Sequence, residues 1–393
     1  MLESYPLITT IVSSIVLAFL FGLLANRMKL PTILGYVVAG IVLGPNTPGF
    51  VADIKLAEQL AEIGVILLMF GVGLHFSTKD LLRVHKTAIP GALIQMSVTT
   101  FLCFIVAIYL KHDFVESLVF GITLSVASTV VLLRALEQHR LSDSYPGKIA
   151  IGWLIVEDVI MIMVLVSLPV FAEISAQGKN IEMHFIFEII FDVLIKVAAF
   201  IVVMIFAGKK ILPRLLVEIA KTKSRELMVL GVIAISCGFA FIAYTLFGAS
   251  FALGAFMAGF VLNESEIGRK SAEKSLPLRD IFAVLFFVSA GMLFSPTVIL
   301  EEPILVLVAF MLVVFGKLFT TYFIMRLFRH GSHNSLIMSV SLAQIGEFSF
   351  ILAALALKLG FFSNIVYDMV IASAIISIAI NPFLFRLVEK HKQ

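Results

Sequence analysis

Little in this chain is made for water. Only 14% of its 393 residues are charged, 60% are hydrophobic, and no stretch between its apolar runs is long enough to fold as a separate soluble domain. That excludes a soluble enzyme and a nucleic-acid module, and a formal net charge of +3 is too small to indicate a polyanionic partner. The two cysteines, Cys103 and Cys237, both sit in apolar runs and read as small core hydrophobes rather than disulfide or metal ligands. His75, His85, His330 and His333 fall at loops without metal-ligand spacing. The ten-residue alternation of an outer-membrane barrel is missing, so backbone groups in lipid must be satisfied inside helices. The N-terminal Met-Leu-Glu-Ser-Tyr-Pro carries no basic residue before its apolar stretch, which does not fit a cleaved signal peptide.

What the chain does have is apolar runs of membrane-crossing length. They predict an all-α polytopic membrane protein with spans at about 6–26, 31–46, 56–76, 87–110, 115–137, 147–172, 184–212, 226–247, 250–264, 278–297, 303–328, 334–358 and 364–387, thirteen in all. With alternate loops on opposite sides, Lys and Arg collect on one of them. The other side holds only Lys55, Lys111, Lys179 and Lys358, while Lys196 and Lys317 lie inside spans. By the positive-inside rule the N-terminus is outside and the C-terminus cytoplasmic.

The chain also repeats itself. Val38-Ala-Gly-Ile-Val-Leu43 matches Met257-Ala-Gly-Phe-Val-Leu262 at an offset of 219, Gly73-Leu-His-Phe-Ser77 matches Gly291-Met-Leu-Phe-Ser295 at 218, and Leu124-Ser-Val-Ala127 matches Val340-Ser-Leu-Ala343 at 216. The matched spans are seven apart, an odd number, so the two halves run oppositely through the bilayer. The expected organisation is one transmembrane domain over 1–393, with repeat 1 at about 1–172, a linker helix at about 184–212 and repeat 2 at about 226–388. Secondary transporters are commonly built this way, with the ion site where broken helices of the two halves meet.

Polar interruptions fall at the repeat-related places: Ser125-Val-Ala127-Ser128-Thr129 in the fifth span and Ser341-Leu-Ala-Gln344-Ile-Gly346-Glu347 in the twelfth. If both unwind, freed carbonyls and the Ser128 and Thr129 hydroxyls can replace water around an alkali cation. Such hydroxyls can equally bond back to their own helix turn. Glu157 and Asp158 lie midway along the sixth span, where a carboxylate costs about 2.5–3.5 kcal/mol even on the lenient insertion scale. Asp158 is the expected site of the alkali cation, binding it when ionised and a proton when not, so the two loads exclude each other. Lys317, at mid-depth in the eleventh span, calls for a buried acid, with Glu157 the first candidate and Glu347 the second. Asp192 and Lys196 can neutralise each other at i,i+4. No nucleophile with a base stands at depth, so no enzymatic activity and no cofactor beyond the transported ions is expected.

Gly35-Tyr-Val-Val-Ala-Gly-Ile-Val-Leu-Gly-Pro45, Ala61-Glu-Ile-Gly-Val-Ile-Leu-Leu-Met-Phe70, Leu285-Phe-Phe-Val-Ser-Ala-Gly-Met292 and Ala343-Gln-Ile-Gly-Glu-Phe-Ser-Phe350 resemble the Kef-type branch of the monovalent cation:proton antiporter-2 family. The resemblance covers the whole chain. It implies a sodium/proton-antiporter-like fold with a core and a dimerisation domain, crossed unwound fifth and twelfth helices, a homodimer in the bacterial inner membrane, and elevator-like alternating access. It places the essential cation-binding Asp at Asp158, the residue before it at Glu157, the unwound-helix hydroxyl at Thr129 or Ser128, and the buried base at Lys317. Kef potassium-efflux proteins look like having Gln where this chain has Glu157. Their acidic regulatory loop matches the mainly basic Arg269–Lys274, so thiol-adduct gating is not expected here. Similar members continue into a cytosolic nucleotide-binding domain, whereas this chain stops at Gln393. The expected function is exchange of protons for a monovalent cation, K+ favoured over Na+; the alternative is a ligand-gated Kef-like potassium-efflux channel.

Overall fold

The computed structural model describes residues 5–48, 51–75, 78–138, 141, 144–176, 202–247, 251–263 and 275–390, with isolated positions at 191, 195, 199–200, 266 and 270. Most of the expected linker helix at 184–212, including Asp192 and Lys196, lies outside the described residues, as do most of the 269–274 segment and residues 391–393.

All regular structure among the described residues is helical. The helices are α1 (Pro6–Arg27), α2 (Thr32–Leu43), α3 (Ile54–His75), α4 (Thr78–Tyr109), α5 (Phe114–Ser125), α6 (Thr129–Gln138), α7 (Tyr145–Ala176), α8 (Lys209–Lys221), α9 (Arg225–Phe247), α10 (Phe251–Asn263) and α11 (Leu276–Leu293). Beyond a single turn at Val298–Glu301 follow α12 (Pro303–Met311), α13 (Lys317–Leu327), α14 (Ser332–Leu342), α15 (Glu347–Lys358) and α16 (Asn364–Lys390). Among the described residues, eight helical stretches are long and apolar enough to cross a membrane, with α12 and α13 forming one of them through the π-helical turn Leu312–Gly316. The second and ninth expected spans are the short α2 and α10, and the fifth and twelfth are each split in two, as α5/α6 and α14/α15. Twelve of the thirteen expected spans are thereby accounted for among the described residues.

One element departs from the sequence reading. The seventh span was expected to end near 212, yet helix continues to Lys221 through a π-helical turn at Met204–Gly208. Within α8 Leu212 and Leu216 are buried while Lys210 and Arg214 are exposed, so the segment is amphipathic. Burial on one face sustains helix well past the point where hydropathy falls.

By their internal contacts the residues form two units, one of Met1–Ala18, Phe50–Phe76 and Ile162–Ser289, the other of Phe19–Gly49, Ser77–Met161 and Ala290–Gln393. In the first unit α3 packs along α10, and α9 packs on both. In the second unit α4 packs on α5 and on α13, α13 on α14, and α12 on α16.

The inverted repeat is visible in the packing of each unit. In the first, Gly73 of α3 abuts the Phe256 carbonyl of α10 so closely that no Cβ would fit; in the second, Gly291 of α11 abuts the Val37 carbonyl of α2 in the same way. The sequence offsets pair Gly73 with Gly291 and Val37 with Phe256, so one contact is the repeat image of the other. Glycine at these positions lets two helix backbones approach each other, the usual means of close packing in lipid.

Candidate functional site

Both expected interruptions are real breaks, and both lie in the second unit. After α5 the chain is extended at Val126 (φ −91°, ψ 137°) and stays non-helical through Ser128. After α14 it turns at Ala343 (φ −78°, ψ 47°) and is extended at Gly346 (φ −106°, ψ 174°). The broken helices cross, with α5 packed on α15 and α6 on α14. At the crossing Gly346 stands so near the other strand that a Cβ there would lie 2.6 Å from the Ala127 carbonyl oxygen. A buried layer of Ala127, Leu132, Trp153, Leu154, Met338 and Leu342 packs about the crossing.

Unwinding exposes backbone groups that a continuous helix would pair internally, and buried in a membrane protein each needs a partner. The structure supplies one for each side of each break. At the first break, Ser125 O accepts from Gln95 Nε2 of α4 at 3.1 Å, and Ala127 N donates to Glu157 Oε2 of α7 at 2.8 Å. At the second, Gln344 O accepts from Lys317 Nζ at 2.8 Å, and Ile345 N donates to Ser377 Oγ of α16 at 3.2 Å. Each break therefore has one neutral and one charged partner. The anionic cap meets an N–H and the cationic cap a carbonyl, the signs that partial charges at helix ends favour.

The charged caps are both fully buried. Lys317 directly follows the π-helical turn Leu312–Gly316, a local rewinding of the kind that recurs at functional sites. Lys317 and Glu157 act on each other electrostatically, while Glu157 accepts from the Ala127 N–H of one break and Lys317 donates to the Gln344 carbonyl of the other. Among the described residues Glu157 Oε1 has no hydrogen-bond partner, and the Trp153 indole approaches the same carboxylate while donating to Gln95 Oε1 at 3.4 Å. The Glu347 side chain lies outside the described residues.

Asp158 is 4% exposed and accepts from Thr129 Oγ1 at 3.4 Å. Ser128 has a different local job: its Oγ accepts from Val131 N at 3.1 Å, capping the first turn of α6. Its backbone N–H donates to Gln344 Oε1 and its carbonyl accepts from Gln344 Nε2, each at 3.1 Å. Ser125 Oγ bonds back to Ile122 O at 2.8 Å. Of the sequence-derived candidates, Asp158, Glu157, Thr129, Ser128, Ser125, Ala127, Lys317, Gln344 and Gly346 thus gather at one crossing. Sequence reasoning missed Gln95 and Ser377. An amide midway along an apolar run was the available signal for Gln95; Ser377 is one of two serines in α16 and gave none.

Crossed, unwound helices from inverted repeats around a buried carboxylate define a secondary transporter of the sodium/proton-antiporter fold. The chain belongs to the sodium/hydrogen exchanger family, whose transmembrane region it matches over residues 15–389. It is 51% identical over 386 residues to YbaL of Escherichia coli (strain K12), assigned by name to cation/proton antiport, covering 98% of this chain and 69% of that one. It is 29% identical over 382 residues to K(+) efflux antiporter 5 of Arabidopsis thaliana, covering 97% of this chain and 66% of the relative. Its fold superposes on the sodium proton antiporter MjNhaP1 from Methanocaldococcus jannaschii with a TM-score of 0.71 at 15% identity, covering 98% of both chains.

Proposed function

We propose that the chain is a secondary active antiporter that exchanges K+, in preference to Na+, for protons, with Asp158 as the carboxylate the two loads share. The observation that carries this is a buried Asp158 beside Thr129 at the α5/α6 break. A desolvated carboxylate in lipid is stable either protonated or with a cation held against it, and competition between those states couples the two fluxes. The preference for K+ rests on relatives named as K(+) efflux antiporters.

In this reading Glu157 and Lys317 stay charged throughout the cycle, each serving one break, and do not carry transported protons. One cation then replaces one proton on Asp158. The unit holding the crossing carries the site between the two faces of the membrane. The protein works as a homodimer in a bacterial inner membrane, N-terminus outside and C-terminus cytoplasmic, as the distribution of Lys and Arg supports. A cytosolic nucleotide-binding domain is its expected regulatory partner.

The test is purified protein in proteoliposomes carrying a pH gradient. Dissipation that requires K+ or Na+ and is lost in Asp158→Asn supports exchange. Conductive K+ flux that survives Asp158→Asn would instead establish the channel reading.

A further inference from the structure

We infer that Gln344 sets the cation preference of this site by fixing both backbone groups of Ser128 beside the Asp158 carboxylate. The inference deepens the exchange reading and rests on it. The repeat offset of 216 makes Ser128 and Gln344 equivalent positions, yet their chemistry differs. Ser128 spends an oxygen lone pair on its own helix turn, whereas the Gln344 side chain crosses to the other break and binds Ser128 N–H and C=O at 3.1 Å each. A side-chain amide with one donor and one acceptor turned to one residue does what a neighbouring strand would do, and no charged or hydroxyl side chain can do both at that reach.

Three holds act on the strand from Ala127 to Thr129. Glu157 takes Ala127 N, Gln344 takes both groups of Ser128, and Gly346 leaves room for Ala127 O. Thr129, the next residue, places its hydroxyl at 3.4 Å from Asp158. A dehydrated cation held by Asp158 and this strand meets oxygens whose number and spacing depend on how firmly the strand is pinned. Number, field and spacing of oxygens are what separate one alkali cation from another. The Ser128 carbonyl also accepts from Leu132 N at 3.1 Å, so its place in the first turn of α6 does not depend on Gln344. What Gln344 adds is the tie between the two breaks; without it the strand loses two contacts and can close on a smaller ion. Gln344 is therefore a positioning residue for the cation, acting through Ser128, while its own carbonyl is fixed by Lys317.

The test compares wild type, Gln344→Leu, Gln344→Glu and Ser377→Ala in proteoliposomes, reading apparent KM for K+ and for Na+ together with maximal rate. Thermal melting in detergent with each chloride salt gives a second readout that does not need transport. Gln344→Leu removes both contacts with Ser128; Gln344→Glu keeps an acceptor for Ser128 N and loses the donor to Ser128 O. Both variants are expected to shift the KM ratio of K+ to Na+ toward Na+ by about fivefold, the scale of one or two buried hydrogen bonds. Ser377→Ala loosens the second break at Ile345 and is expected to lower the melting temperature with the ratio unchanged. An unchanged ratio in both Gln344 variants, or an equal shift in Ser377→Ala, overturns the inference. Absence of any cation-dependent proton exchange in wild type would instead strike the exchange reading itself.

Discussion

Removing the charges of Glu157 and Lys317 one at a time should be far worse than removing them together. Each is fully buried, and each bonds a backbone group that unwinding has exposed. Glu157→Gln keeps an oxygen for Ala127 N but leaves the ammonium of Lys317 without its opposing charge; Lys317→Gln keeps a donor for Gln344 O and strands the carboxylate. Breaking a buried pair from one side costs about 3–5 kcal/mol. In the double variant no lone charge remains and both backbone groups keep neutral partners. The loss is then only the difference between charge-assisted and neutral hydrogen bonds, about 1 kcal/mol at each break and about 2 kcal/mol in total. Set against about 6–10 kcal/mol for two independent losses, the cycle should return a coupling energy of at least about 4 kcal/mol.

Melting in detergent measures the cycle, and proteoliposomes measure its meaning. If the two residues are static caps, Glu157→Gln and Lys317→Gln combined should exchange cation for proton with unchanged stoichiometry, whether or not the membrane potential is clamped. Additive destabilisation, with coupling below about 0.5 kcal/mol, would refute charge compensation between the two breaks. A changed stoichiometry in Glu157→Gln alone would refute the static role, because Glu157 would then be carrying a proton through the cycle.

Three further outcomes are expected. Thr129→Val removes the hydroxyl 3.4 Å from Asp158; the long contact places the effect at the low end for a hydrogen bond, about 0.5–1 kcal/mol, read as a twofold to fivefold higher KM for the cation with the maximal rate nearly kept. Gly346→Ala sets a methyl group against the Ala127 carbonyl, a distance of 2.6 Å that only separation of the strands can relieve; overpacking of this kind costs about 1–3 kcal/mol, so melting temperature and exchange rate should fall together. His330 lies outside the spans, its Nε2 3.4 Å from Thr87 Oγ1, and partial burial holds its pKa below the ordinary histidine value. A depressed histidine pKa means the unfolded chain takes up the proton more readily, so this ring contributes a small loss of stability as pH falls through about 6.5 and none above it. His330→Gln should flatten that part of the melting-temperature curve.

How much of this was legible from the chain follows from what each feature is made of. Spans are made of side-chain hydrophobicity, so their positions could be read, α2 and α10 included. The repeat could be read because backbone contact requires a small residue, and Gly73 and Gly291 mark where it occurs. The breaks announced themselves as Ser, Thr, Gln and Gly within apolar runs. The end of the seventh span misled because hydropathy falls at Lys209 while Leu212 and Leu216 still find a buried face. The partners of Lys317 were legible only in part: Glu157 is the acid whose charge acts on it, but its hydrogen bond goes to the Gln344 carbonyl, a group every residue possesses. Unwinding is what makes such a carbonyl available, so the partner comes into being only with the break. The same holds for Glu157 and the N–H of Ala127. In an antiporter built on broken helices, charged residues in the membrane are therefore to be matched first to the helix ends that the breaks expose, and only then to one another.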